Sequence, residues 1–151
     1  MRKGRAALLG VLGKLWTLPN TLMGLALGCS AMLWGSRPVL GHNAVVFNRF
    51  PCFSRAFVLG NVILNPAEHL GGLTVTYESL AEFRKTRGAC ALAYVHLGKH
   101  EEAHTLQYQV LGPLFLPLYA LTQVLPSPTP FERAADRYAE TGDGWWPWSK
   151  A

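Results

Sequence analysis

Residues 100–104 read His-Glu-Glu-Ala-His, and they contain the side chains of this sequence that are best suited to metal chemistry. On a helix, positions i and i+4 lie on one face a turn apart, so His100 and His104 can direct ring nitrogens at one zinc ion. Glu101 lies beside the same face, where it can take a proton from a metal-activated water without binding the metal. Apolar residues precede and follow the motif, as expected for a buried helix. The motif therefore predicts a zinc site with Glu101 as a general base.

A second pair of acidic residues follows in residues 131–139, which read FERAADRYA. Glu132 and Asp136 are spaced i, i+4 on this second predicted helix, and its alanines would allow close packing. HExxH followed by ExxxD, with alanine just before the aspartate, resembles the gluzincin-type zinc metallopeptidases. The pattern is most similar to the membrane-associated group that includes the CAAX prenyl proteases and the heat-shock membrane peptidases. The resemblance covers residues 99–139.

The resemblance implies a role for each of these residues. Glu132 would be the third zinc ligand, and Asp136 would hydrogen-bond the distal ring nitrogen of His100 or His104 and fix its tautomer. It also implies Zn2+ as the cofactor and a peptide or protein as the substrate. Three protein ligands leave the fourth tetrahedral position for water, which is the catalytic arrangement. Glu101 would then take the proton of the attacking water and return it to the leaving amine.

Metallopeptidases of this kind also use a side chain that stabilises the oxyanion on the attacked carbonyl. Four residues near the two predicted helices are candidates: Tyr138, His96, Arg137 and Tyr108. We prefer Tyr138, which lies close behind the ligand helix. His96 could extend the histidine stripe, but two helical turns would separate it from His104 by about 11 Å, whereas Zn–N bonds are about 2 Å long. We therefore expect His96 to be a core or groove residue rather than a ligand.

The composition points to a membrane or a lipid-facing surface. Half of the 151 residues are hydrophobic and 15% are charged, against a usual quarter. The net charge of +5 does not indicate nucleic acid, because the basic residues are scattered and no nucleic-acid-binding signature accompanies them. We expect association with a membrane and no nucleic-acid partner.

Residues 15–35 form an uncharged apolar stretch that follows a basic N-terminus containing Arg2, Lys3 and Arg5. The stretch is long enough to cross a bilayer, which needs about 20 apolar residues, and its basic end would then face the cytoplasm. A cleaved signal peptide and a buried core helix are the alternatives. We assign residues 1–36 to this N-terminal region and residues 37–151 to a zincin-like metallopeptidase domain.

The whole pattern predicts an α+β fold, with an N-terminal apolar helix, a small and mostly antiparallel sheet, and the HExxH helix beside a second ligand-bearing helix. Residues rich in Val, Ile and Phe predict strands, and a stretch with apolar residues on one side predicts a helix before the motif. The strands are expected at residues 44–50, 56–64 and 73–77, and the helix at residues 78–87. By analogy with zincins, residues 60–64 are expected either to form a substrate-aligning edge above the metal or to be an ordinary core strand.

Three further features each have more than one interpretation. Residues 112–130 contain five prolines and cannot form one regular helix; they would belong to the core, dip into a membrane or line a hydrophobic groove. Cys52 and Cys90 would form a disulfide in an oxidising compartment, or else be two buried free thiols. The tryptophans in residues 145–148 would contact a membrane interface or cap a small core.

The main rival to a peptidase is a zinc-stabilised, membrane-associated binding or scaffold domain without turnover. Outside the apolar stretch the chain leaves little material for a substrate cleft, and a small core can use a metal to gain stability. Replacement of Glu101 separates the two hypotheses, because only the peptidase needs its carboxylate.

Overall fold

The computed structural model describes residues 2–149, with side chains from residue 8 onward, and it confirms the α+β class. The helices are α1 (Arg2–Trp16), α2 (Leu18–Ala31), α3 (Tyr77–Lys85), α4 (Leu97–Leu111), α5 (Phe115–Thr122) and α6 (Pro130–Thr141). The strands are β1 (Arg37–Gly41), β2 (Ala44–Asn48), β3 (Phe57–Leu59), β4 (Val62–Leu64), β5 (Leu73–Val75) and β6 (Tyr94–His96). Short 3-10 turns follow α2 (Met32–Trp34) and α4 (Gly112–Leu114). The side chains of Arg2, Lys3 and Arg5, on which the predicted membrane orientation depends, lie outside this description.

The larger sheet has the order β1-β2-β4-β3 and is mixed, because β2 and β4 are parallel while the other neighbours are antiparallel. β5 and β6 form a separate antiparallel pair. His42 and Asn43 connect β1 to β2 with φ values of 51° and 59°, and two such residues match the twist of a tight hairpin. The sequence gives little sign of β1, because this exposed strand contains a proline and pairs along one edge alone.

The single strand expected at residues 56–64 is instead a hairpin. β3 and β4 pair through Leu59 and Val62, and the turn between them contains Gly60 with a φ of +63°. The hairpin places β4 between β2 and β3, inside the sheet. The interpretation of residues 60–64 as an edge is therefore wrong, and β3 is the strand at that edge.

The single apolar helix expected at residues 15–35 is also not formed, because the chain makes two helices that meet at Thr17. Thr17 has a ψ of 10°, and Pro19 lies in the first turn of α2, where its missing N–H costs no hydrogen bond. α2 packs on the sheet through Gly24 and Gly28, which lie against Val62 and Phe47. Among residues 2–149, no helix combines the length and the apolar character needed to cross a membrane.

The sheet has a hydrophobic cluster on each face. Phe47, Leu59 and Val62 belong to the cluster that contacts α2. Val46, Val58 and Ile63, which alternate with them along the strands, belong to the cluster that contains residues of α4, α5 and α6. Because both faces are covered, the strands are nearly continuous apolar runs.

The last third of the chain holds α4 against α6, which are in contact along their length. Ala103 of α4 and Ala135 of α6 are fully buried in one small cluster with Tyr138, and Trp145 covers it. Arg137 donates hydrogen bonds to the carbonyls of residues 144 and 146 and holds the tryptophan-containing segment in place. This segment therefore caps the α4–α6 contact.

The structure decides the position of Phe115 within residues 112–130 and the state of the cysteines. Residues 112–130 form the 3-10 turn, α5 and a loop, and Phe115 lies in the core. Cys29, Cys52 and Cys90 are free, with Cys52 exposed and Cys90 partly exposed. The predicted disulfide and the prediction of two buried thiols are both wrong, because these residues lie in surface segments.

Candidate metal centre

Local sequence signals place the ligands on α4 and α6. His96 precedes α4 in an extended conformation, and Gly112 ends the helix with a φ of 56°. At α6, Thr129 precedes the helix and Pro130 occupies its first turn, as is common at helix N-termini. Glu132 also lies in this first turn, where the helix dipole favours a negative charge.

His100, His104 and Glu132 converge in the buried space between the two helices. These three residues are 3%, 7% and 3% exposed, and one ligand atom from each lies within 4.8 Å of the other two. Oε2 of Glu132 lies 3.1 Å from Nε2 of His100 and 3.5 Å from Nε2 of His104. Tetrahedral zinc with bonds of 2.0–2.1 Å would separate its ligand atoms by about 3.3 Å. The donor set and these two distances therefore fit zinc.

Both histidine rings are held by the nitrogen that faces away from Glu132. Nδ1 of His100 lies 3.0 Å from Oδ1 of Asp136, and Nδ1 of His104 lies 2.8 Å from Oε1 of Gln107. Since both partner atoms are acceptors, both Nδ1 atoms must carry the hydrogen. The Nε2 atoms are thus the ones left to bind a metal, in the manner of histidine ligands fixed by a carboxylate or carbonyl partner.

Gln107 is a site residue that the sequence reading missed. Its Nε2 donates to the carbonyls of Phe131 and Trp145 at 3.3 and 2.9 Å, which fixes the direction in which its Oε1 points. It lies one helical turn after His104, so its spacing carried a usable signal. Its two backbone contacts also tie the ring of His104 to α6 and to the tryptophan-containing segment.

Glu132 presents its two oxygens to different partners. Oε2 faces the histidines, whereas Oε1 accepts a hydrogen bond from the hydroxyl of Tyr119 on α5. This contact leaves one oxygen for a metal. Sequence reasoning did not find Tyr119, because nothing in residues 112–130 links that tyrosine to the motif.

Burial and the neighbouring charged groups shift the pKa of each ligand in opposite directions. Burial lowers the pKa of His100, but hydrogen bonds to Asp136 and Glu132 outweigh it and raise the pKa to about 10. Burial raises the pKa of Glu132, but the two histidines outweigh it and hold the pKa well below its usual range. The site thus stabilises positive charge beside a carboxylate, and a divalent cation bound by the same atoms would replace the protons.

Glu101 is buried beside the ligands, and its carboxylate makes no hydrogen bond to them. It is 6% exposed, and burial raises the pKa of its carboxyl group. Among residues 2–149, no donor makes a hydrogen bond to its carboxylate. The side chain borders two cavities, with empty volumes of about 440 and 1070 Å³. A buried carboxyl group that has a raised pKa and faces a cavity is suited to proton transfer.

The two cavities meet at the ligand side of α4. Both are lined by Ala56, Tyr77, His100 and Glu101. The smaller cavity continues between β3 and α5, where its wall is apolar and aromatic: Phe57, Val58, Tyr108, Phe115 and Leu116. The arrangement is a cleft with one charged end and one apolar end.

Tyr77, the first residue of α3, contacts both Asp136 and His100. Its backbone N–H donates to Oδ2 of Asp136 at 2.6 Å, and its ring stacks on the ring of His100 with centroids 5.8 Å apart. Burial and then the charge of Glu132 raise the pKa of Tyr77 to about 12, so its hydroxyl remains a donor at neutral pH. Sequence reasoning did not find Tyr77, because it lies 59 positions before Asp136.

The predicted oxyanion candidates lie elsewhere or have other partners. The hydroxyl of Tyr138 donates to Oε1 of Glu102 at 2.9 Å, and Arg137 binds backbone carbonyls. His96 is exposed at the end of β6. Tyr108 lines the smaller cavity, but its hydroxyl donates to the carbonyl of Val58 at 3.1 Å.

Comparison with known proteins adds no relative to this description: no family model, no curated protein and no solved structure matches the chain.

Proposed function

We propose that the protein is a zinc-dependent peptidase in which His100, His104 and Glu132 hold the metal. The observation that carries this proposal is the carboxylate of Glu101, buried beside a three-ligand cluster and facing the cleft without a hydrogen-bond partner among the described residues. A structural zinc site closes its coordination with four protein ligands, whereas a catalytic site has three and an open position.

The chain's own residues would divide the chemistry between them. His100, His104 and Glu132 would hold a zinc ion, which would supply the Lewis acidity that polarises a water and the scissile carbonyl. Glu101 accepts the proton of the attacking water and transfers it to the leaving amine as the C–N bond breaks. Asp136 and Gln107 keep the two imidazole rings in position through their Nδ1 atoms.

Tyr77 replaces Tyr138 and His96 as the candidate oxyanion stabiliser. It borders both cavities beside Glu101, and its ring is held by stacking on His100. A phenol that stays protonated can donate a hydrogen bond to the oxygen that becomes negative in the transition state. Tyr119 is less suited to this role, because its hydroxyl already donates to Glu132.

The shape of the cleft supports a peptide substrate with an apolar side chain beside the cleaved bond. Phe57, Phe115 and Leu116 line the smaller cavity next to the ligands. Strand addition to the β3 edge is limited, because the carbonyl of Val58 already accepts a hydrogen bond from Tyr108. We therefore assign substrate recognition to side-chain contacts in the apolar end of the cleft.

The resemblance to the gluzincin-type peptidases supports the same proposal. An HExxH helix packed beside the helix that carries the glutamate and aspartate, with the β3 edge next to α4, is a minimal zincin-like arrangement.

The proposal is tested with a peptide mixture from a digested proteome, in which mass spectrometry identifies newly formed termini. The zinc-loaded protein should cleave beside apolar residues. Glu101→Gln should keep its zinc and lose cleavage by at least about 100-fold, as expected when a general base is removed. Glu102→Gln is the matched control, since this neighbouring carboxylate contacts Lys99 and Tyr138 instead of the cleft.

Two outcomes contradict the proposal. Undiminished cleavage by Glu101→Gln would remove the general base from the mechanism. A zinc-loaded wild type that cleaves nothing in the mixture would favour the zinc-stabilised scaffold.

A further inference from the structure

The α2 helix buries small or polar residues and exposes large apolar ones, which is the reverse of a helix that packs on a core and faces water. Its buried positions, spaced three or four residues apart, carry small or polar side chains: Asn20, Gly24, Gly28 and Ala31. Its exposed positions include Leu18, Leu22, Met23 and Leu27. A helix at an aqueous surface normally turns its large apolar residues inward. The outward face of α2 is therefore suited to an apolar environment.

The inward face of α2 is fixed by close packing, so the helix cannot rotate to bury its leucines. A Cβ atom at Gly24 would lie 2.7 Å from Cβ of Val62, and one at Gly28 would lie 2.3 Å from the ring of Phe47. Small residues that let helices approach a neighbour, with leucines on the other side, are typical of helices that contact lipid.

The exposed apolar surface continues beyond α2. Thirteen large apolar side chains are exposed between residues 8 and 34, including Leu33 at 83%. Trp16 lies against Gly112, which brings the end of α1 to the 3-10 turn that exposes Leu114. Proteins that stay monomeric in water rarely expose so much contiguous apolar surface without a partner. We call the exposed side chains of residues 8–34 the N-terminal apolar face.

Charged residues are distributed unevenly between the part of the chain before Glu68 and the part that begins with it. No acidic residue occurs before Glu68, which is the first of the nine acidic residues in the chain. Seven of the 14 basic residues precede it: Arg2, Lys3, Arg5, Lys14, Arg37, Arg49 and Arg55. Lys14 lies within residues 8–34 and Arg37 follows them, and both are exposed. Basic residues beside an apolar face complement anionic lipid headgroups, whereas two copies of this region would repel each other across a symmetric interface.

We propose that the N-terminal apolar face binds an anionic lipid bilayer, with its leucines in the acyl region and its basic residues at the headgroups. This inference is independent of the zinc site, because α2 and α1 hold none of the three ligands.

The test is flotation of the full-length protein with vesicles of phosphatidylcholine alone or with phosphatidylglycerol at a 70:30 ratio. The protein should float with the mixed vesicles, and half-binding should need about tenfold more lipid when phosphatidylglycerol is left out. Replacing Leu18, Leu22 and Leu27 together with Gln should raise the lipid needed by at least about tenfold. Tyr94→Gln is the control, because it removes an exposed apolar side chain from β6 in the second sheet.

A second variant makes the result independent of α2 folding. Leu33→Gln combined with Trp34→Gln changes exposed side chains of the 3-10 turn, and it should also weaken flotation. The proposal is overturned if the protein floats with neither vesicle, or if both variants bind lipid as tightly as the wild type. It is also overturned if the wild type forms a dimer that the same variants dissociate while lipid binding is absent, since a second copy would then cover the face.

Discussion

Gln107 and Asp136 hold the two histidine rings by their Nδ1 atoms, at 2.8 and 3.0 Å. Neither side chain is a ligand, yet together they decide which nitrogen of each ring faces Glu132. A ring without such a partner would rotate and sample both tautomers, which weakens metal binding.

Gln107→Met tests this contribution at the residue scale. Methionine nearly preserves the volume but removes the acceptor for His104, so we expect the dissociation constant for zinc to rise by about 10- to 100-fold. Competition with a chromogenic chelator measures it. Gln109→Met is the matched control, because Gln109 lies on the same helix and bonds to Asn61 instead. Equal zinc affinity in the two variants would contradict the assignment.

Tyr77→Phe tests the oxyanion stabiliser. The change keeps the ring that stacks on His100 and removes the hydroxyl, so kcat/KM should fall by about 10²- to 10³-fold while zinc content stays the same. Tyr138→Phe should leave kcat/KM unchanged, because its hydroxyl contacts Glu102 outside the cleft. Full activity in Tyr77→Phe, or loss of zinc from it, would refute this role.

The residues that sequence reasoning could find are those related by helical spacing. His100 and His104, like Glu132 and Asp136, are four positions apart, so each pair is visible locally. Tyr77 and Tyr119 reach the site only through the tertiary fold, and a single sequence does not encode that contact in any local pattern. Tyr138 was preferred because it is near in sequence, but its side chain extends toward Glu102.

At the scale of elements, the close contact between α2 and the sheet explains why glycines occupy a helix. Glycine weakens an isolated helix by about 1 kcal/mol relative to alanine, but at residue 28 it leaves room for the ring of Phe47. The same contact orders the N-terminal region on the sheet whose other face contacts α4.

Gly28→Ala should therefore lower the free energy of unfolding by about 1–3 kcal/mol, because overpacking outweighs the gain in helix propensity. Gly10→Ala on α1 is the control: a Cβ there meets nothing within 4 Å, so the change should raise the free energy of unfolding by up to about 1 kcal/mol. Urea unfolding measures both. If Gly28→Ala stabilises as much as Gly10→Ala, the close contact is absent in solution.

The apolar runs predicted the locations of helices and strands better than they predicted the points at which the chain turns. Residues 44–50 contain β2 and residues 78–87 largely coincide with α3, because their patterns are continuous. The run at residues 56–64 was divided into two strands by one glycine with a positive φ. The apolar stretch at residues 15–35 was divided at Thr17 in the same way, by a local backbone angle that hydropathy does not register.

At the scale of the whole molecule, one sheet separates two regions with different chemistry. The basic, acid-free part of the chain supplies α1, α2 and the N-terminal apolar face. The part from Glu68 onward supplies both ligand-bearing helices. Composition alone predicted a lipid-facing surface, but it could not show which face of α2 would be exposed. That depends on the packing of Gly24 and Gly28 against the sheet.

The zinc content of the purified protein tests the central claim most directly. Elemental analysis should find about one zinc per chain in the wild type and in Glu101→Gln, since one three-ligand site binds one ion and Glu101 is not a ligand. His104→Ala and Glu132→Ala should each lose the metal while remaining folded by circular dichroism. No zinc in the wild type after reconstitution, or full zinc in both ligand variants, would contradict the proposed metal centre and the peptidase mechanism that depends on it.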